Sequence, residues 1–288
     1  MTITALIINW NGQNYISDTI SRLLTQSPDL KVTVIDNAST DDSAKIISRQ
    51  FPGVELVSPP QHLSFSECLN FGFSRSVARG SIYTWLVGSD VLVEDNCLKN
   101  LLELGEKYGD VGMVCSKIYV VPNKDRLIYY AGGIMDWFNL RPVNRGQGQV
   151  DAGQFEHDVE TDFVLPLSTL IKTRILTEVG ILDPAYFADY DWLDFCYKCR
   201  RAGWRLMYAS QSHVGYQNLQ EPDFPDSIKE YFIDRNQLLF GLRHGPFYTK
   251  FSLLKNAFHE YFFGRPWQRR AVLDFFTGNF GRGSYQPE

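Results

Sequence analysis

The sequence predicts an α/β fold, a mostly parallel sheet with helices on both faces, followed by a helical C-terminal extension. From Ile3 to Val87, short β-rich runs alternate with segments of helical periodicity. A looser second block follows Tyr108, and from about Ser227 the chain becomes aromatic, basic and helical in spacing. These changes divide the chain into residues 1–227 and 228–288.

The run "ITALIINW" (Ile3 to Trp10) reads as a buried strand, and "YISDTISRLLTQ" follows with Ile16, Ile20, Leu23 and Leu24 at helical spacing. "KVTVIDNAS" is a second strand, and "TDDSAKIISRQF" a helix opened by acidic residues that suit its dipole. "VELVS" is a third strand, "SECLNFGFSRSVARG" a helix ending at Gly80, and "SIYTWLV" a fourth strand. The second block holds the run "DFVLPLSTLIK", the helix "TRILTEVG", the helix-like "WLDFCYKCRRAGW" and the strand "RLMYAS". Between them, "NRGQGQVDAGQFEHDVE" is polar and glycine-rich and reads as a loop that orders on binding. In the extension, "YFIDRNQLLFGLRH" and "FHEYFFGRPWQRRAVLDFF" are the expected helices.

At 288 residues with 44% hydrophobic and 21% charged residues, the chain can bury a sizeable core, and disorder is not expected. A net charge of −5 argues against nucleic acid as a partner, because phosphate contacts need clustered cations. The five cysteines, an odd count, point to reduced thiols in a cytoplasmic setting rather than a disulfide framework. Cys196 and Cys199 form a C-x-x-C without a second pair or neighbouring histidines, which reads as structural. The N-terminus lacks a basic stretch before its short apolar run, and no stretch reaches the length of a membrane span.

In open parallel sheets ligands bind beyond the carboxyl ends of the strands. That rule selects Asn9 and Asn11, Asp36 and Asn37, and Asp90, which follows the fourth strand in "WLVGSDVLVED". Taken alone, Asp36 and Asn37 also suit a strand-to-helix turn with an Asx motif.

Ordered motifs extend this reading. Asn9, Trp10, Asn11 and Gly12 form N-W-N-G after the first strand, and Asp36, Asn37, Ser39, Asp41 and Ser43 form D-N-x-S-x-D-x-S after the second. Ala131, Gly132, Gly133, Gly146, Gly148, Asp151 and Gly153 follow, then the R-R-A-G-W-R of Arg200 to Arg205, then Arg235 and Asn236. From Ile3 to His244 the chain thereby resembles the family 2 nucleotide-sugar glycosyltransferases of the GT-A (Rossmann-like) fold, especially their rhamnosyltransferase branch.

The resemblance implies a UDP- or dTDP-sugar donor, with Asn9, Asn11, Asp36, Asn37, Ser39 and Asp41 at the nucleotide and Asp90 and Arg200 toward the diphosphate. It implies Mg²⁺ or Mn²⁺ on an N-x-D or D-x-D loop, here Gly88, Ser89 and Asp90, where the last acidic position alone remains. A histidine completes that site in many relatives; Tyr216 stands in its register, and His213 lies three residues upstream as a replacement ligand or as an ordinary histidine. The general base lies in a Y-[FY]-E-D-x-D segment, aligned with Tyr190 to Asp194, where Trp192 replaces the usual aspartate. Asp191 is then the first candidate base and Asp189 the second, unless the acidic cluster serves a helix N-terminus. Further departures are His62, Leu63, Ser64 and Phe65 in place of N-x-G-[FY], and Leu165 and Pro166, followed by Leu167, in place of T-G. Arg235, like Arg200, is a cationic alternative to a metal at the diphosphate.

The implied activity is transfer of a sugar, rhamnose or another hexose, to a bacterial surface glycan, free or lipid-linked, with inversion. The alternative is a glycosyltransferase-like binding or scaffold protein without turnover. Aromatic and basic residues interleaved over 250–276 suit peripheral contact with the inner face of the cell membrane, or packing on the domain or on a second copy in a homo-oligomer.

Overall fold

The computed structural model describes residues 2–218 and 226–284. The first half runs β1 (Ile3–Asn9), α1 (Ile16–Leu24), β2 (Leu30–Asp36), α2 (Ser43–Gln50), β3 (Glu55–Val57), α3 (Phe65–Ala78) and β4 (Tyr83–Gly88), the alternation the sequence predicts. Next come β5 (Val91–Val93), α4 (Cys97–Lys107), β6 (Val111–Val120) and β7 (Ile128–Tyr130), then a separate hairpin of β8 (Gly133–Asp136) and β9 (Arg141–Asn144). The second block holds β10 (Val159–Glu160), β11 (Ser168–Lys172), α5 (Ile175–Glu178), α6 (Asp191–Arg201) and β12 (Arg205–Tyr216). Three helices end the chain, α7 (Asp226–His244), α8 (Phe247–Phe263) and α9 (Pro266–Thr277).

The main sheet is ordered β10-β12-β6-β11-β4-β1-β2-β3, with β5 beside β12 and β7 beside β6. Pairings β4-β1, β1-β2 and β2-β3 are parallel, as is β12-β6, while β11 runs antiparallel between β4 and β6. Trp85 at the centre is fully buried, and its indole N–H donates to Ser168 Oγ at 3.2 Å. From there a line of buried groups, Ser168, Ser116, Ser212 and Cys97, crosses the sheet with separations of 2.7, 2.8 and 3.0 Å. Polar atoms so deep are tolerated because each has a partner.

The polar segment around Asp151 is held by the protein itself rather than waiting on a ligand. Lys117 Nζ, almost wholly buried, lies 2.6 Å from Asp151 Oδ2, and the Tyr119 hydroxyl donates to the same oxygen at 2.5 Å. Burial would raise the Asp151 pKa, but these two donors outweigh it and hold it down to about 2. The expectation of a loop that orders on binding is therefore corrected.

The extension also differs from its sequence pattern. "FHEYFFGRPWQRRAVLDFF" is two helices: the chain turns at Gly264 and Arg265, and Pro266 opens α9 where its missing N–H costs nothing. The first part belongs to a helix that already starts at Phe247, after Pro246. Helix α7 is not peripheral, since Leu239 and Phe240 join the core that covers the sheet.

Arg235 and Asn236 on α7 are fully buried beneath the segment 185–190. Asn236 Nδ2 donates to the carbonyl of Tyr186 at 2.8 Å and of Asp189 at 3.2 Å, and also meets that of Ala188. Arg235 Nη2 reaches the carbonyls of Ala185 and Tyr186, each at 3.3 Å. In this segment Phe187, Asp189 and Tyr190 have φ of 58°, 56° and 61°, a left-handed conformation that non-glycine residues hold only when their surroundings impose it. Asn236→Ala removes donors from those carbonyls and is expected to lower stability by about 2–3 kcal/mol. Urea denaturation measures this, and a midpoint equal to wild type would show that other contacts hold the segment.

Candidate active site

The three parallel strands that carry the predicted ligands end together. Asn9 is the register partner of Asp36, and Ile8 is the partner of Gly88. Asn9 is fully buried, and its Nδ2 donates to Asp36 Oδ1 at 2.8 Å, with Ser43 Oγ at 2.9 Å and Ser39 Oγ at 3.1 Å. The Ser39 hydroxyl adds a second donor to Asp36 Oδ1 at 2.6 Å. A Cβ on Gly12 would overlap Asn9 Oδ1, so glycine is required there for the amide to fit.

Asn11 has φ of 53°; its Oδ1 accepts from the backbone N–H of Thr40 at 2.8 Å, while its own N–H donates to Ser39 Oγ at 3.0 Å. Asp41 Oδ2 accepts from the N–H of Gln13 at 2.9 Å, and its other oxygen accepts from Ser43. Burial raises the Asp41 pKa, but hydrogen bonds from Ser43 and Gln13 outweigh it and lower it. Asn11, Ser39 and Asp41 thus join the loops after β1 and β2 to one another. Asn37 is bound at both ends of its amide by the backbone of Leu63, and the His62 ring lies 3.1 Å from its carbonyl. His62 packs beside the half-exposed Trp10, ring centroids 5.3 Å apart, at the rim of the same strand ends.

Asp90 occupies the turn between β4 and β5. Thr19 of α1 donates to the carbonyl of Ser89 at 2.9 Å, and the Gln217 N–H to the carbonyl of Asp90 at 3.1 Å. Burial pushes the Asp90 carboxyl up to about 6, against a hydrogen bond from Asn218 that favours the charged form. A Cβ at Gly88 would lie 3.0 Å from Asp90 Oδ1 and 3.1 Å from the Leu167 side chain, so any larger residue there would have to displace them. Tyr216 neighbours Asp90 and packs against Tyr129, the ring centroids 5.1 Å apart and the planes tilted by 51°.

The structure does not bring His213 to Asp90. His213 lies across from Glu94 at the far end of β5, its Nε2 2.9 Å from the carbonyl of Ser210 and its Nδ1 3.5 Å from Glu94 Oε2. Among the described residues no group of three or more His, Cys, Asp or Glu could hold a metal ion. Asp90 is the carboxylate that a cation bound mainly by phosphate oxygens and water would meet, a donor set that suits Mg²⁺ better than a full protein cage would.

Asp191 begins α6 and is almost fully buried. Ser66 Oγ donates to its Oδ2 at 2.5 Å and the Trp192 N–H to its Oδ1 at 2.7 Å; burial raises its pKa against these bonds. Ser66 was not among the predicted residues; the capping box of Ser64 and Glu67, which starts α3 and places it, is visible in the sequence. Asn218 was missed too and carries no motif. Asp189 is exposed on the left-handed segment described above. Trp192 is buried, its indole N–H donating to the carbonyl of Val164 at 2.6 Å. Asp194 takes no part in the site: Tyr186 OH and His244 Nε2 lie 3.0 and 2.8 Å from its Oδ1.

Arg200 lies nine residues along α6 from Asp191, about 13 Å by helical rise, and pairs with Asp162 at 2.9 Å. It is not brought to Asp36 or Asp90, and Arg235 is committed to the segment 185–190. Cys196 and Cys199 are free and buried, and burial pushes the Cys196 thiol up to about 12, as fits structural cysteines.

The mixed sheet, its helices and this row of strand ends define a GT-A fold. The crystal structure of GalNAc-T7 with UDP, GalNAc and Mn²⁺ matches with TM-score 0.63 and 15% identity over 91% of this chain and 58% of that one. TarS 1–349 of S. aureus in complex with UDP-GlcNAc matches with TM-score 0.64 and 12% identity over 96% of this chain and 79% of that one. The mannosyltransferase PcManGT of Pyrobaculum calidifontis, in complex with GDP-Man and Mn²⁺, matches with TM-score 0.57 and 15% identity over 99% and 76%. No curated protein matches by sequence. The model of glycosyl transferase family 2 matches residues 4–164, more than half of the chain, and the chain belongs to that family.

A raised carboxyl pKa contributes stability that is complete below the unfolded value, here 3.8, and lost as pH rises through the folded value of about 6. Asp90→Asn keeps the shape and removes the buried charge. It is expected to melt above wild type near pH 8 and together with it near pH 4. A difference in melting temperature that does not change across that range would show Asp90 to be well solvated.

Proposed function

We propose that this chain transfers a hexosyl residue, rhamnose or a related sugar, from a UDP- or dTDP-sugar to a glycan acceptor of the bacterial surface, with inversion. The observation that carries the reading is the in-register ending of β1, β2 and β4, which sets the Asp36 carboxylate and the Asp90 turn along one edge of the sheet. Asp36, held by Asn9 and Ser39, is suited to accept the imide N–H of a uracil or thymine. The solved structures with the same fold that carry UDP, UDP-GlcNAc or GDP-Man support a nucleotide-sugar donor of this kind.

In the inverting reaction the acceptor hydroxyl oxygen bonds to the anomeric carbon as the bond to the diphosphate oxygen breaks, and the hydroxyl proton passes to a carboxylate. Asp191 is our candidate for that carboxylate: burial raises its proton affinity and Ser66 fixes its orientation. Asp189, exposed two residues away, is the second candidate. A divalent cation on Asp90, when bound, would offset the charge of the departing diphosphate. We also propose that 1–227 is the catalytic unit and that α7, through Arg235 and Asn236, completes it by shaping the segment 185–190.

A second reading, a nucleotide-binding protein without turnover, is favoured by one observation: Trp192, at the aligned position of the base, is buried against Val164. Calorimetry with UDP and dTDP, with and without Mg²⁺ or Mn²⁺, on wild type and Asp90→Ala tests the donor site. Wild type is expected to bind one nucleotide more tightly with metal, and the variant to lose that metal dependence. Absence of binding in every condition would sink both readings.

Asp191→Asn is expected to lower kcat by at least about a hundredfold with nucleotide affinity unchanged. An unaltered kcat would move the base to Asp189 or elsewhere, and wild-type binding without transfer across a panel of donors would leave the second reading standing.

A further inference from the structure

Helix α8 carries three faces. Thr249, Leu253 and Ala257 turn inward, with the Thr249 hydroxyl donating to the carbonyl of Trp137 at 2.7 Å and Leu253 against Gly241 of α7. A second face is mixed, with Ser252, Asn256 and His259 beside the exposed rings of Tyr248 and Phe263. The third is an aromatic stripe open to solvent: Phe247, Phe251 and Phe258 are 85, 66 and 68% exposed, and Leu254, Tyr261 and Phe262 continue it. At 100° per residue these six side chains span about 100° of the helix, with Lys250 at one border and Lys255 at the other.

Helix α9 extends the surface. Leu273 and Phe276, both exposed, meet the α8 stripe across an open apolar groove of about 400 Å³, and Arg269 and Arg270 are exposed on the same helix. From Phe247 to Thr277 there are five Lys or Arg and two acidic residues, while the whole chain carries a net charge of −5. Arg265 pairs with Glu230 and Asp274 is buried against Tyr231, which leaves Lys250, Lys255, Arg269 and Arg270 on this surface against Glu260.

We propose that the α8–α9 face docks on an anionic lipid surface, with α8 lying in the plane of the interface. An exposed aromatic stripe edged by lysines is what such a helix presents: rings enter the headgroup boundary while the cations stay among the lipid phosphates. The remaining surface, acidic on balance, is repelled from the same lipids, which leaves this face as the one that approaches. A second copy fits the charge less well, because two such faces packed together bring lysine borders against lysine borders. The docking does not depend on the donor or base assignments above.

Sedimentation of the full chain with phosphatidylcholine vesicles, with and without phosphatidylglycerol, tests this. Wild type is expected to sediment with the anionic vesicles, to stay in solution with the neutral ones, and to be released by high salt. Phe251→Ser with Phe258→Ser should abolish sedimentation at an unchanged melting temperature, since both side chains are already in water. Lys250→Glu with Lys255→Glu should weaken it by at least roughly tenfold. Failure to bind anionic vesicles, or equal binding by wild type and both double variants, would overturn the proposal. So would light scattering that shows a wild-type dimer dissociated by the phenylalanine substitutions, because the face would then join two copies of the chain.

Discussion

Everything at the candidate site depends on parallel pairing in register. Parallel strands deliver all their carboxyl ends to one edge, and the register of β1 with β2 and β4 leaves Asn9, Asp36 and Gly88 ending within one residue of each other. A slip of one residue in any of these strands would turn its ligand to the other face of the sheet. The nearly continuous apolar runs in β1, β2 and β4 guard the register only through packing, because a strand buried on both faces lacks an alternating pattern to specify it. The side-chain bridge from Asn9 to Asp36 supplies the specificity that the apolar residues cannot.

The residues predicted to touch nucleotide divide by what they do. Asn9, Asn11, Ser39 and Asp41 direct their polar atoms at one another's loops, and Asn37 binds Leu63. Such a frame fixes the Asp36 carboxylate before any ligand arrives, so little ordering entropy remains to be lost on binding. Most members of the two motifs thus serve as the scaffold that holds the strand ends together.

Much of the fold was legible in the sequence because its cause is local. Apolar period and caps predict the order of β1 through β4 and the helices between them, and the C-x-x-C without companions predicts buried structural thiols. What stayed hidden depends on contacts distant in sequence. The ion pair of Lys117 with Asp151, which orders a segment that looks mobile by composition, joins two segments that no periodicity relates. The break between α8 and α9 was within reach, since the Gly264 and Pro266 that cause it are in plain view. Ser66 against Asp191 spans 125 residues and became visible only in three dimensions. His213 shows the opposite failure: proximity in sequence to Tyr216 does not give proximity to Asp90, because alternate strand residues point to opposite faces and the chain has moved on toward Glu94.

Several departures from the family pattern lie against one another. The Leu167 side chain lies beside Gly88, directly after the Leu165 and Pro166 that stand in place of the T-G, so the loop after β4 and the altered acceptor loop touch. Three residues earlier on the same segment, the carbonyl of Val164 accepts the indole N–H of Trp192, which ties the altered base segment to the altered loop. Random loss of function would be expected to leave voids or buried polar atoms without partners, since nothing selects their repair. Here the Trp192 indole is satisfied, Asp90 keeps a donor in Asn218 and Asp191 keeps two, whereas Asn9 Oδ1 and Gln217 Nε2 are buried without a partner. A side chain at Gly88 would press on Asp90, Val91 and Leu167, so a Gly88→Asp reversion requires these side chains to shift. The loop after β4, the segment before β11 and the start of α6 therefore constrain one another, and no one of these departures can be weighed alone.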